Sequence, residues 1–102
     1  MARMKYDGVI EAVRYSQDNQ ISQVRFYETR RLAFSDRIVI DRADLAERLK
    51  KGKRIVTGRR KIFWGNNFET GQRVLLHNGK TEIISTEDLA GEKEHLTGIP
   101  VF

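Results

Sequence analysis

The chain has 102 residues, with 19 lysines and arginines against 14 aspartates and glutamates, so its formal net charge is +5. This length suits a single domain with its own core, and the absence of cysteine excludes disulfides, thiolate nucleophiles and cysteine zinc sites. No apolar stretch is long enough to span a bilayer or to form the centre of a secretory signal. We therefore expect a soluble cytoplasmic domain with no membrane contact.

The first part of the chain predicts a β-hairpin. Residues 5–15 and 21–30 are rich in valine, isoleucine and aromatic residues, and the polar cluster Ser16–Gln20 separates them. Such segments favour paired strands joined by a turn. A short third strand is predicted around Arg37–Ile40.

The first strand departs from strict alternation. Ile10 and Val13 are three positions apart and cannot face the same side of a regular strand. A bulge at Glu11-Ala12, or a bend at Gly8, would bring both to one face, and both devices occur where a strand curves.

A helix is predicted over Arg42–Lys51. Asp41 can cap its first turn, and Gly52 stands where a left-handed residue ends many helices. Leu45 and Leu49 form a narrow apolar stripe that we expect to face the core. Two acidic residues each precede a basic residue by four positions, which adds support for the helix.

Three more strands are predicted after the helix. Lys53–Thr57 begins the fourth strand, with Gly58 as a bulge or turn. Arg73–His77 and Lys80–Ser85 flank Asn78-Gly79, and Asn-Gly between apolar runs predicts a hairpin with a two-residue type I′ turn.

The order β-β-β-α-β-β-β predicts a mainly β domain of the α+β class. Its β-β-β-α-β-β part matches a small antiparallel OB-like barrel with one helix at about 42–51. An SH3-like barrel with an inserted helix and an open antiparallel sheet with one helix are the alternatives. We expect a single β-rich domain over residues 1–85 and an acidic, loosely ordered tail over 86–102.

One segment, Arg48–Lys61, supplies more than the whole net charge and contains no acid. Its basic residues are Arg48, Lys50, Lys51, Lys53, Arg54, Arg59, Arg60 and Lys61. Such a segment can bind polyanions, or it can complement a helix C-terminus and protect a strand edge from aggregation. Trp64 follows it closely, and an exposed aromatic beside cations can stack on single-stranded bases. These nine residues form the predicted binding site.

Enzymatic chemistry has little support in the sequence. The two histidines, His77 and His95, have no partner at metal-ligand spacing, and no nucleophile or phosphate-loop motif is present. We expect no catalytic residues, no bound metal and no cofactor.

The predicted function is a small non-catalytic module that binds nucleic acid, with single strands favoured, or another polyanion. The alternative is a protein-interaction or self-associating module in which the basic segment keeps an edge soluble. For that alternative, the apolar residues Ile99, Val101 and Phe102 are the candidate contacts.

Overall fold

The computed structural model describes residues 6–30, 33–34, 37–60, 68–78, 82–89 and 93–102. Its elements are β1 (Gly8–Tyr15), β2 (Ile21–Arg30), β3 (Ala33–Phe34), β4 (Ile38–Asp41), α1 (Arg42–Lys50), β5 (Ile55–Arg60), β6 (Phe68–Asn78) and β7 (Glu82–Thr86). A short 3₁₀ turn follows at Glu87–Leu89. None of the helices in these ranges has the length and apolar content needed to cross a membrane.

The strands form one mixed sheet that is six strands across, in the order β3-β2-β1-β5-β6-β7. β4 also pairs with β2, beside β3 on the edge that β1 does not use. Among the described strands, those at the two edges of the sheet do not pair with each other, so the sheet is open. The mainly β, α+β class is confirmed, whereas closure into a barrel is not.

The prediction of a wholly antiparallel sheet is wrong at one pair. β1 and β5 run parallel, with Gly8 opposite Ile55 and Ile10 opposite Thr57. β2 is antiparallel to both β1 and β4, so β4 runs in the direction of β1. β5 runs in that direction as well, and α1 lies in the connection between β4 and β5, because a crossover to a parallel strand usually contains a helix.

The predicted bulge in β1 is confirmed, and the pairing beside Gly58 is also irregular, although the extra residue there is in β6 rather than at Gly58. The β1–β2 register shifts between Ile10 and Ala12, which leaves Glu11 as the extra residue. This bulge places both Ile10 and Val13 in the core. A second shift lies between Val56 and Gly58, where β6 has one residue more than β5.

Both ends of α1 follow the predicted capping. A side-chain oxygen of Asp41 accepts a hydrogen bond of 2.8 Å from the backbone N–H of Asp44. Gly52 has φ of +83°, and the N–H of Lys53 donates to the carbonyl of Arg48 at 3.1 Å. These features form a Schellman C-cap. The helix runs over Arg42–Lys50, with Lys51 as its C-cap residue.

The apolar stripe of α1 packs against the sheet as predicted. Leu45 is fully buried and Ala46 nearly so, while Leu49 packs at the margin of the same core. The core lies between α1 and one face of the sheet, called here the inner face. It is formed by Ile10, Val13, Ile21, Val24, Phe26, Ile40, Leu45, Ala46, Ile55, Val74, Ile84 and Leu96.

The β6–β7 hairpin is confirmed, but its register differs from the prediction. Asn78 pairs with Glu82, which leaves residues 79–81, outside the described ranges, as the connection. A two-residue turn at Asn78-Gly79 would instead have paired His77 with Lys80, so that register is wrong.

Residues beyond 85 contribute to the core. Leu96 is 1% exposed, and His95 bridges Ser85 of β7 while Val101 bridges Val13 of β1. The segment 93–102 therefore passes from one edge of the sheet to its middle strand. The division of the chain into a domain at 1–85 and a tail at 86–102 stays a prediction. The acidic composition of the tail gave no sign that Leu96 would be buried.

Candidate nucleic-acid interface

The three residues of the predicted site in α1 or at its C-cap, called here the helical cations, each lie within 3.6 Å of a carboxylate oxygen. Lys50 Nζ lies 3.0 Å from Oε1 of Glu82, and Lys51 Nζ lies 3.6 Å from Oε1 of Glu47. Arg48 is bound most extensively, as described next. The helical part of the basic segment is therefore locally neutralised.

Arg48 joins the helix to β2. Its Nη1 lies 3.1 Å from Glu28 Oε1 and its Nε 2.9 Å from Asp44 Oδ1, and its guanidinium lies 5.0 Å from the centre of the Phe26 ring. Burial alone would lower the pKa of Arg48, but the hydrogen bonds to Asp44 and Glu28 outweigh it and raise the pKa. Arg48 acts as a packing residue.

The cations next to and within β5 are different. Lys53, Arg54 and Arg59 are exposed, and within the described ranges none of their side chains meets a carboxylate. Arg54 and Arg59 are roughly 16 Å apart along the chain at strand spacing. Arg54 and Arg59 therefore do not form one compact patch, whereas Lys53 lines a small pocket together with the helical Arg48.

The side-chain positions of three predicted site residues are not described. Arg60 is the last residue of β5, and its side chain is not described. Lys61 and Trp64 lie outside the described residues. The stacking role of Trp64 stays a prediction.

The structure adds two cations that the sequence reasoning missed. The guanidinium groups of Arg14 and Arg25 lie 4.8 Å and 4.5 Å from the centre of the Phe102 ring, and Arg14 Nε donates to the Phe102 carbonyl at 3.1 Å. Arg25 stands between the core residues Val24 and Phe26, so it lies on the opposite, outer face of the sheet. Alternation along β2 was the signal that could have identified it.

Arg25 and Arg59 line the same groove. The groove has a volume of about 640 Å³ and is lined by Glu11, Ala12, Arg25, Gly58, Arg59, Gly98, Ile99 and Pro100. Glu11, the one acid among these, lies 3.5 Å from Arg37 Nη1 and accepts a hydrogen bond of 3.3 Å from the Tyr27 hydroxyl. The remaining charge in the groove is positive.

The groove lies where β5 and the C-terminal segment diverge beside β1. β5 pairs with β1 only as far as Ile10 and Thr57; beyond this point the C-terminal segment takes the place of β5 beside β1. Val13 N–H donates to the Pro100 carbonyl, and Phe102 N–H to the Val13 carbonyl, each at 3.0 Å. Three small residues, Ala12, Gly58 and Gly98, are part of the groove lining.

A second cluster of charge, around Glu94, is structural. Its carboxylate accepts hydrogen bonds from the Arg42 guanidinium at 2.8 Å, from Ile21 N–H at 2.6 Å and from Ile84 N–H at 3.1 Å. Burial raises the pKa of Glu94, but these hydrogen bonds lower it by more, so the net pKa lies below its ordinary value. The cluster ties α1, β2 and β7 together.

His95 also has a packing environment. Its Nδ1 lies 2.9 Å from the Tyr15 hydroxyl, the two rings stack with centres 5.5 Å apart, and Leu96 N–H donates to the same hydroxyl at 3.0 Å. In the ranges that the structure describes, no three histidine or acidic side chains are grouped to hold a metal ion.

Comparisons with protein-family models, with curated proteins and with solved structures found no match. The functional inference therefore rests on the positions and contacts of this protein's own side chains.

Proposed function

We propose that the chain is a small non-catalytic module that binds nucleic acid, single-stranded in preference, or another polyanion. The contacts are Lys53, Arg54, Arg59 and the added residue Arg25, with Arg60, Lys61 and Trp64 as further candidates from the sequence. The helical cations Arg48, Lys50 and Lys51 are left out of this site. An OB-like barrel remains part of the proposal, supported by the order of elements and by the register shifts in the β1–β2 and β5–β6 pairings.

The observation that carries the proposal is the difference in pairing. Each helical cation of the segment contacts a carboxylate, whereas Arg25 and Arg59 share a groove whose one acid is already bound. A guanidinium that has no carboxylate partner can form bidentate hydrogen bonds to a phosphate without first breaking an ion pair. A phosphodiester chain in the groove gives each of the two arginines a phosphate to which it can donate hydrogen bonds.

Binding of this kind depends strongly on salt. For single strands the slope of log K against log salt is about −0.7 for each neutralised phosphate, so four cations give roughly −3. Titration of a labelled single-stranded oligonucleotide at several salt concentrations, with a duplex in parallel, measures this slope. No binding to either at low salt would remove the proposal.

A matched pair of double variants locates the site. Arg25→Gln with Arg59→Gln, and Lys50→Gln with Lys51→Gln, each remove two positive charges and give the same net charge. We expect the first pair to lower the magnitude of the slope by about 1.4 and the affinity by at least about tenfold. The second pair should change both much less. Equal losses of affinity in the two double variants would show that binding depends on net charge alone and not on the position of these residues.

The alternative of association through Ile99, Val101 and Phe102 has weaker support. Ile99 packs at the margin of the core, Val101 pairs with Val13 in the same chain, and Phe102 lies against two arginines. Ile99 and Phe102 make their contacts within the domain, and only the Val101 side chain, 64% exposed, is left for a partner among these three, so the polyanion hypothesis has more support.

A further inference from the structure

β4 leaves an apolar strand edge open. It pairs with β2 on one side, and no strand in the described ranges pairs with its other side. Ile38 and Val39 are 37% and 53% exposed, and with Val101 they are the large hydrophobic residues that the described part of the chain leaves exposed. An edge of this kind can add a strand from another chain.

β4 also lacks most of the features that protect edges. Ile38–Asp41 contains no lysine and no proline, and its register with β2 runs without a bulge from Gln23–Asp41 to Phe26–Ile38. Its shortness and the charge of Asp41 at its end are the protective features present in this strand.

The sequence around β4 is complementary to itself. Residues 37–41 read Arg-Ile-Val-Ile-Asp. When two copies pair antiparallel about a two-fold axis at Val39, each Val39 faces its copy and each Ile38 faces an Ile40. Each Arg37 then stands opposite an Asp41. Directly opposed side chains lie about 5 Å apart, and opposite charges there are favourable.

Both charged groups can reach such a contact. The Arg37 side chain is 54% exposed, and its one contact in the described ranges is the 3.5 Å approach to Glu11. Asp41 is exposed, and it uses Oδ1 for the helix cap. Its Oδ2 takes no hydrogen bond from any described residue. Because side chains alternate between the two faces of a strand, those of Arg37, Val39 and Asp41 lie on the same face. The Val39–Val39 contact and the two Arg37–Asp41 contacts therefore form together.

We propose that a second copy of this chain docks on β4 by two-fold antiparallel pairing and joins the two sheets into one. The contact is isologous, because each copy uses the same residues, and it closes at a dimer. This goes beyond the proposed polyanion binding and does not depend on it.

The dimer would also align the outer faces of the two sheets. Arg25 is the register partner of Val39, so the two Arg25 residues would be separated by three strand spacings, or about 14 Å. A two-fold axis perpendicular to the sheet keeps both on the same side.

Sedimentation velocity over a wide range of protein concentration tests the proposal. We expect the wild type to pass reversibly from monomer to dimer with no larger species. Val39→Lys places two like charges at the axis and should remain monomeric. Val101→Lys, a lysine at a residue that is also exposed but lies off this edge, should dimerise as the wild type does. Circular dichroism checks that both variants fold.

A double-mutant cycle tests the charge pair. Arg37→Gln and Asp41→Asn each remove one charge, and asparagine retains the helix cap. Each single variant should weaken dimerisation by about three- to tenfold, and the double variant should be little weaker than either. A wild type that stays monomeric, a dimer that survives Val39→Lys, or growth into larger oligomers would each overturn the proposal. Additive effects in the cycle would overturn the Arg37–Asp41 pairing.

Discussion

The absence of a side chain at Gly8 makes room for the Phe26 ring. A Cβ atom on Gly8 would lie 2.1 Å from Phe26 Cζ, and the Phe26 side chain is 1% exposed. Close packing of an aromatic ring over a strand glycine compensates for the missing side chain. This contact fixes the start of β1 against β2.

Gly8→Ala should therefore destabilise the fold, by about 1–3 kcal/mol, because the added methyl group displaces a buried ring. Urea unfolding measures the loss. Phe26→Leu in the same chain provides room for the methyl group, so the double variant should lose less stability than the sum of the two single changes. Strict additivity would show that the two residues do not compete for space.

The buried carboxylate of Glu94 should make stability depend on pH. Its pKa is below the ordinary value in the folded chain, so its contribution is complete above the unfolded-state pKa of about 4.3 and is lost as pH falls through the lower folded-state pKa. Glu94→Gln should cost about 2–3 kcal/mol at neutral pH, and this cost should shrink in acid. Urea titrations at several pH values measure it.

Glu87→Gln is the matched control, because Glu87 is exposed and acidic and stands in the same part of the chain. We expect little change from it at any pH. A cost for Glu94→Gln that stays constant into strong acid would contradict the role given to the carboxylate.

Among the elements, local signals predicted well and distant contacts did not. Asp41 and Gly52 lie at the two ends of the helix that they cap, so both helix ends could be predicted from neighbouring residues in the sequence. Leu96 is buried by elements far away along the chain, and nothing near it indicates this. The same holds for the site, since the Lys50–Glu82 pair spans 32 positions and charge counting cannot detect it.

The C-terminal segment should unfold together with the sheet. Leu96→Ala is expected to cost about 2–5 kcal/mol, the range for a buried leucine, while Val101→Ala should stay within about 0.5 kcal/mol because that side chain is exposed. Thermal or urea unfolding compares the two. If both variants matched the wild type, residues 93–102 would not belong to the cooperative unit.

Across the whole molecule, charge is divided between two sides. On the helix side, pairs such as Arg42–Glu94 and Lys50–Glu82 join α1 to the C-terminal segment and to β7. On the outer face, Arg25 and the exposed Arg73 have no carboxylate partner in the described ranges. Among the described side chains, the helix-side cations are therefore paired with carboxylates whereas these outer-face arginines are not, which one count along the sequence could not show.

The middle position of β1 has a consequence for the rate of folding. Its partners are the neighbouring β2, then β5 more than forty residues later, and finally Val101. Loops this long must close before their contacts contribute, so we expect folding in milliseconds to seconds rather than microseconds. In stopped-flow experiments, Val24→Ala in the local hairpin should mainly slow folding, whereas Leu96→Ala should mainly speed unfolding. In this order of folding, β1 pairs first with β2, next with β5 and last with the C-terminal segment.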